Sequence, residues 1–250
     1  MSVSPRPDAV ARQYASAANL NLRASLHEKY SVNPQGFMPW LFGQYIIRPG
    51  DSLLEVGCGN GSLWKGRLDR LPEGCRLLLT DLSAGMLDAA RENLGAPGNV
   101  EYAQADIQSL FPPDGCFDAV TANPPYTGGS KGLTNSTDAK MIARHEVACT
   151  LEDFFTAAAG LLKSKGHFFM IHRPARLVDI FSLGRKHGLE PKEIRMIRPD
   201  KKSSPSMVLV HMIRNGGAEL KVREGLFIRD ESGDYSREIE EIYERGKYQK

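Results

Sequence analysis

Two clusters of residues in this chain have the types and spacing to do chemistry. The first, Leu53-Leu54-Glu55-Val56-Gly57-Cys58-Gly59-Asn60-Gly61, reads as a short apolar strand running into a glycine-rich turn. Glycines at 57, 59 and 61 let the backbone take left-handed angles and approach a ligand where a Cβ would collide. A Gly-x-Gly turn alone is weak support for a ligand, because glycines also serve purely structural turns. Two carboxylates strengthen it: Glu55 at the strand end, and Asp81 at the end of the next apolar run. A carboxylate about 20 residues beyond such a turn is placed to accept both hydroxyl hydrogens of a ribose.

The second cluster is Asn123-Pro124-Pro125-Tyr126, directly after the fourth apolar run. In an open α/β sheet the carboxyl end of such a strand borders the ligand crevice, so these residues are expected to face a bound cofactor. Their types suit an aromatic amine, a poor nucleophile whose lone pair is delocalised into its ring. Accepting its hydrogens on the Asn123 side-chain oxygen and the Pro124 carbonyl favours the pyramidal, reactive form. Prolines fix the backbone without a competing N–H donor. Tyr126 offers a ring on which an unstacked base can lie. The alternative is a proline-rich turn without chemistry. Elsewhere, His145-Glu146 lacks the second histidine of a zinc protease motif, and His172-Arg173-Pro174 reads either as a phosphate contact or as a strand terminus.

The elements that must position these clusters alternate between short apolar runs and helical stretches, the pattern of parallel strands with crossover helices. The runs are 52–56, 76–80, 100–102, 117–121, 167–171 and 207–211, and helices are expected over 83–94, 138–148, 151–162 and 177–187. Thr150 is expected to cap the third helix, with Asp153 as its acidic partner. Residues from about Asp8 to Tyr30 and from Gly36 to Ile47 read as N-terminal helices laid against the main domain. The expected fold is a Rossmann-like, doubly wound, mostly parallel seven-stranded α/β sheet. Its expected division is a helical segment over 1–47, the main domain over 48–228 and a charged tail over 229–250.

Composition sets the outer bounds. The 250 residues, 41% hydrophobic and 25% charged, suit one large α/β domain. A net charge of +2 does not announce a nucleic-acid binder, but residues 163–223 hold fourteen Lys/Arg against five Asp/Glu. That stretch is either a phosphate-facing surface or a solvated basic face. Cys58, Cys75, Cys116 and Cys149 lack the short spacings of zinc or redox sites and read as thiols in a reducing compartment, so no metal is expected. Without an apolar run of membrane length or a leader-like start, the expected location is the cytoplasm.

Glu55-Val56-Gly57-Cys58-Gly59-Asn60-Gly61, Thr80-Asp81-Leu82-Ser83 and Gln104-Ala105-Asp106-Ile107 together resemble the first three motifs of class I S-adenosylmethionine (SAM) dependent methyltransferases. A dinucleotide dehydrogenase would usually show Gly-x-Gly-x-x-Gly instead. The resemblance implies SAM as cofactor, with Asp81 on the ribose, Asp106 accepting from the adenine amino group and the Gly57 to Gly61 backbone facing the methionine end. It also brings Glu55, Cys58, Leu82, Ile107 and Asn123 to the cofactor. A cap on the helix after the third strand is the other reading of Asp106.

Asn123-Pro124-Pro125-Tyr126 resembles the hallmark of amino-group methyltransferases acting on adenine, cytosine or glutamine. From Asn123 to about Tyr243 the chain is similar to transfer-RNA adenine-N6 methyltransferases that modify valine transfer RNA. The matching stretches are that tetrad, Asp138-Ala139-Lys140, Ala143-Arg144-His145-Glu146, Thr150-Leu151-Glu152-Asp153, Phe168 to Pro174 and Met207 to Val210. This implies an RNA partner, transfer RNA first, and no membrane, with Tyr126, Lys131 and Arg173 as substrate contacts. Residues 9 to about 118 resemble small-molecule methyltransferases of the quinone-biosynthesis type, with Phe111 to Asp118 as their lead into the fourth strand. The Asp-Gly-Tyr segment expected before the first motif of the transfer-RNA family is absent. The chain therefore reads as a mosaic joined near 118–123, whether by natural recombination, engineered fusion or divergence. Three functions follow: a base N6-methyltransferase, a small-molecule C- or O-methyltransferase, or a SAM-binding protein without turnover.

Overall fold

In the computed structural model, residues 37–109, 115–124 and 150–241 are described. The strands are β1 (Ser52–Val56), β2 (Arg76–Asp81), β3 (Val100–Gln104), β4 (Phe117–Ala122), β5 (Leu162–His172), β6 (Leu189–Arg198), β7 (Met207–Arg214) and β8 (Lys221–Phe227). The helices are α1 (Met38–Phe42), α2 (Ala84–Leu94), α3 (Leu151–Leu161) and α4 (Leu177–Lys186). The sheet has eight strands in the order β3-β2-β1-β4-β5-β7-β6-β8, one more than expected. The pairs β2–β3, β4–β5 and β6–β8 are parallel, whereas β5–β7 and β6–β7 are antiparallel. This is a Rossmann-like α/β fold. The expected helices over 8–30 and 138–148 lie outside the described residues.

The described chain divides into two compact units, one of residues up to Asp51 with Glu55–Asp106, the other of Ser52–Leu54 with residues from Ile107 onward. In the first unit, Leu77 and Leu79 of β2 are buried, as a central parallel strand requires. The chain enters α2 through Ser83, whose hydroxyl accepts from the Met86 N–H at 3.3 Å. Met86, Leu87, Ala89 and Ala90 form the buried face of that helix. This cap fixes where β2 ends, and so where Asp81 stands.

In the second unit the expected cap is present in both directions. Thr150 Oγ1 accepts from the Asp153 N–H at 3.3 Å, and Asp153 Oδ2 accepts from the Thr150 N–H at 2.6 Å. Helix α3 packs Phe155 edge-on against Phe168 of β5, ring centroids 5.7 Å apart. Asp118 accepts from the Ser52 N–H at 2.9 Å and pairs with Lys163 at 2.7 Å, pinning the start of β1 and the start of β5 to β4. Gly184 lets α4 lie close on the sheet, since a Cβ there would come within 2.9 Å of the Leu189 carbonyl.

Strand β5 begins at Leu162, five residues before the apolar run, with a register shift opposite Phe117/Ala119 and Lys165 at φ 69. Strands β6 and β8 lie outside the six apolar runs. β6 carries Pro191 and five charged residues among ten, accommodated by a register shift at Pro191/Glu193. β8 is mostly exposed, interrupted by Gly225, and lies at the end of the strand order.

Candidate active site

The glycine turn is built from its contacts with β2. Gly57 N–H and Cys58 N–H both donate to the Thr80 carbonyl, at 2.8 and 2.9 Å, and Gly59 N–H donates to Asp81 Oδ2 at 2.9 Å. The same carboxylate's Oδ1 accepts from the Ser83 N–H at 2.8 Å. Asp81 therefore spans the turn and the start of α2, and each oxygen keeps a lone pair for a further donor. Leu82, next in sequence, is 49% exposed, an apolar surface beside that carboxylate.

Gly57 and Gly59 have φ of 71° and 55°, and a Cβ on either would meet nothing within 4 Å. Here the backbone conformation demands glycine, and open space lies against the turn. An acidic acceptor, an exposed apolar side chain and an open glycine backbone suit a nucleoside-bearing cofactor. Gly61 does something else: a Cβ there would lie 2.8 Å from Leu94 Cδ1, so it admits α2 close to the turn. Asn93 Nδ2 donating to the Asn60 carbonyl at 3.0 Å holds the same approach.

Glu55, expected at the cofactor, stands one residue before the end of β1. It is buried, and its Oε2 accepts from the indole Nε1–H of Trp64 at 2.6 Å. Burial raises its carboxyl to about 8, against the lowering effect of the Trp64 bond, and the neighbouring Asp81 charge adds to the rise. Glu55 is accordingly a neutral acid over most of the range below pH 8. Burial also raises Asp81 against its backbone N–H donors, and it lifts the Cys58 thiol, helped by Glu55 and Asp81, so that Cys58 is an inert packed thiol.

Trp64 is the residue that sequence reasoning missed. A tryptophan just past the turn, and one carboxylate in an otherwise apolar strand, were the available signals, since a buried indole N–H seeks an acceptor. Phe42 of α1 meets Trp64 edge-on at 5.9 Å, and Arg67 closes the loop by donating to the Ser62 and Leu63 carbonyls, both at 2.6 Å.

Asp106 is half-buried between β3 and a 3-10 turn over Ile107–Ser109, a position compatible with both an adenine contact and a cap. In the second unit, Asn123 directly follows β4 and is exposed, while Pro124 is buried. Pro125, Tyr126 and Lys131 lie outside the described residues. Arg173 is exposed after β5 and donates to the Ser206 carbonyl at 3.0 Å.

The basic stretch is more neutral than its composition. Lys163, Arg176, Arg185, Lys186, Arg195, Lys201 and Arg223 each pair with a carboxylate. Lys165, Lys192 and Arg214 donate to backbone carbonyls. Among the described residues Arg198, Lys202 and Lys221 have no ion pair. No disulfide joins Cys58, Cys75 and Cys116. No described helix is long and apolar enough to cross a membrane.

The fold is Rossmann-like, with a glycine turn and Asp81 at the ends of neighbouring strands. Residues 53–127 match the family described as methyltransferase domain. The ubiquinone/menaquinone biosynthesis C-methyltransferase of Teredinibacter turnerae is 37% identical over 98 residues, 38% of this chain and 36% of that protein. The chain thus spans little more than a third of the length of the curated relatives it matches. A structure from Agrobacterium tumefaciens, described as a predicted O-methyltransferase, superposes with a TM-score of 0.65 at 22% identity, over 84% of this chain and 95% of that one. A TehB-like SAM-dependent methyltransferase from Corynebacterium glutamicum gives a TM-score of 0.52 at 15% identity, over 79% and 97%. These two likenesses concern the fold.

Proposed function

We propose that this protein is a SAM-dependent methyltransferase whose acceptor is an exocyclic amino nitrogen, adenine N6 in transfer RNA being the leading case. The methyltransferase part is supported by the glycine turn with Asp81, by the match over 53–127 and by the fold. The acceptor class is carried by one observation: an exposed Asn and a buried Pro directly follow the fourth strand and open the Asn-Pro-Pro-Tyr tetrad.

In this reading SAM supplies an electrophilic methyl group on a sulfonium sulfur. Asp81 accepts the ribose hydroxyls, Leu82 gives apolar contact to the nucleoside, and Asp106 accepts from the adenine amino group. Asn123 and the Pro124 carbonyl accept the hydrogens of the acceptor amine, so its lone pair is free to attack as charge develops. Tyr126 stacks on the base. No strong general base is required, because a methylated ammonium is acidic enough to lose its proton to water.

The second reading is a C- or O-methyltransferase of a small molecule. It is favoured by the similarity to the quinone-biosynthesis enzymes and by the ion pairing across the basic stretch. Incubating the protein with methyl-labelled SAM and total transfer RNA, followed by nucleoside analysis, separates the two. The expected product is N6-methyladenosine. Labelled quinone precursors with unlabelled RNA would replace the first reading by the second, and SAM binding without transfer to either would leave a cofactor-binding protein without turnover.

A further inference from the structure

Glu55 and Asp81 stand at the carboxyl ends of neighbouring strands and flank the glycine turn. Glu55 is buried and Asp81 half-buried, and among the described residues neither forms an ion pair. Glu55 has one side-chain donor, the Trp64 indole, while Asp81 has two backbone N–H donors. The pair in turn acts on Cys58, which burial and the two acids hold as a neutral thiol. A buried carboxylate beside a second, half-buried one cannot be ionised cheaply without a counter-cation, so one of the two carries a proton until positive charge arrives. Asp81, with two N–H donors, is the one that stays ionised. Glu55, with a single neutral donor, holds the proton.

Resting on the reading of this site as a SAM site, we propose that Glu55 is a charge-specificity residue: it is a neutral acid in the ligand-free protein and releases its proton to solvent when a cofactor of net positive charge binds. SAM carries a sulfonium, an ammonium and a carboxylate, for a net charge of +1, and its demethylated product S-adenosylhomocysteine is neutral overall. The donor supplies the missing counter-charge and the product does not. After transfer the sulfonium charge is gone, Glu55 takes a proton back from solvent, and the site loses its preference for what it holds. Donor binding and product release are thus separated by the protonation of one buried side chain.

The sign follows from the position of the equilibrium near 8. Above it Glu55 is already ionised and SAM binds without proton release. Below it every binding event must expel a proton, so affinity falls as pH falls, by about fivefold between pH 8 and pH 7 for a single group. S-adenosylhomocysteine should show a much shallower dependence.

The test is calorimetric titration of the full chain with SAM at pH 7 in buffers of different ionisation enthalpy. Wild type should release about one proton more than Glu55→Gln, which keeps an oxygen acceptor for Trp64 but has no proton to lose. The variant serves as the reference for the titration of the SAM ammonium itself. Infrared difference spectroscopy of wild type adds an independent readout that needs no variant: a protonated carboxyl band at pH 7 that disappears on adding SAM and persists on adding S-adenosylhomocysteine. SAM binding with equal proton release in both proteins, or an unchanged carboxyl band, overturns the proposal and leaves the cofactor reading standing. Absence of SAM binding to wild type overturns both.

Discussion

Asp81→Ala is the substitution that tests the cofactor site most directly, because the carboxylate has two separable jobs. One oxygen accepts from Gly59 N–H at 2.9 Å and the other from Ser83 N–H at 2.8 Å, which holds the turn to the start of α2. The remaining lone pairs are those assigned to the ribose hydroxyls. Hydrogen bonds to a charged acceptor contribute about 1.5 to 3 kcal/mol each, so losing two, with water replacing part of the interaction, weakens binding by about 2 to 4 kcal/mol. That is about thirtyfold to several hundredfold in Kd for SAM. The structural job is read separately: two backbone N–H groups lose their acceptor, which costs stability by about 1 to 3 kcal/mol. Calorimetric titration gives the first quantity and denaturant unfolding the second, and Asp81→Asn, which keeps one acceptor oxygen, should fall between wild type and Ala in both. A folded, destabilised Ala variant that binds SAM within threefold of wild type would refute the ribose assignment and reduce Asp81 to a clasp on the turn.

Asn123→Ala should leave SAM affinity intact and lower turnover by about a hundred- to a thousandfold, since the lost acceptor acts on the nucleophile as it becomes pyramidal; full activity in this variant would make the tetrad a mere turn. Trp64→Phe keeps the packing against Phe42 but strands the buried Glu55 oxygen, so unfolding experiments should show a loss of about 1 to 3 kcal/mol, and the apolar Glu55→Met in the same background should recover part of it. Because the Glu55 carboxyl is raised in the folded protein, its stabilising contribution is complete below the ordinary carboxylate range and declines as pH rises toward 8, so the melting temperature of wild type relative to Glu55→Gln should fall from pH 5 to pH 8. Any transfer-RNA binding should weaken with salt, but with a slope smaller than the fourteen basic residues of 163–223 suggest, because many are already paired within the protein; a salt titration with a slope near ten would contradict that pairing.

Strands β1, β2 and β4 were legible in the chain, because they are largely buried and read as apolar runs closed by punctuating residues. Gly57, Gly59, Asp81 and the Thr150 cap could be placed on local chemistry alone, since left-handed backbone angles and N-terminal caps are written in residue types a few positions apart. Strands β6 and β8 could not, because their buried residues are interrupted by proline, glycine and charge, and only pairing with β7 and with each other makes them strands. The basic stretch shows the same limit in electrostatics: counting charges along the chain cannot reveal that Arg195 meets Glu238 or that Arg223 meets Glu193. At the site, the sequence named Glu55 as a carboxylate beside a ligand turn, but its protonation is a tertiary property. Burial strips away its water and the Trp64 indole gives it a single neutral donor, so the folded structure decides that this acid holds a proton near neutral pH.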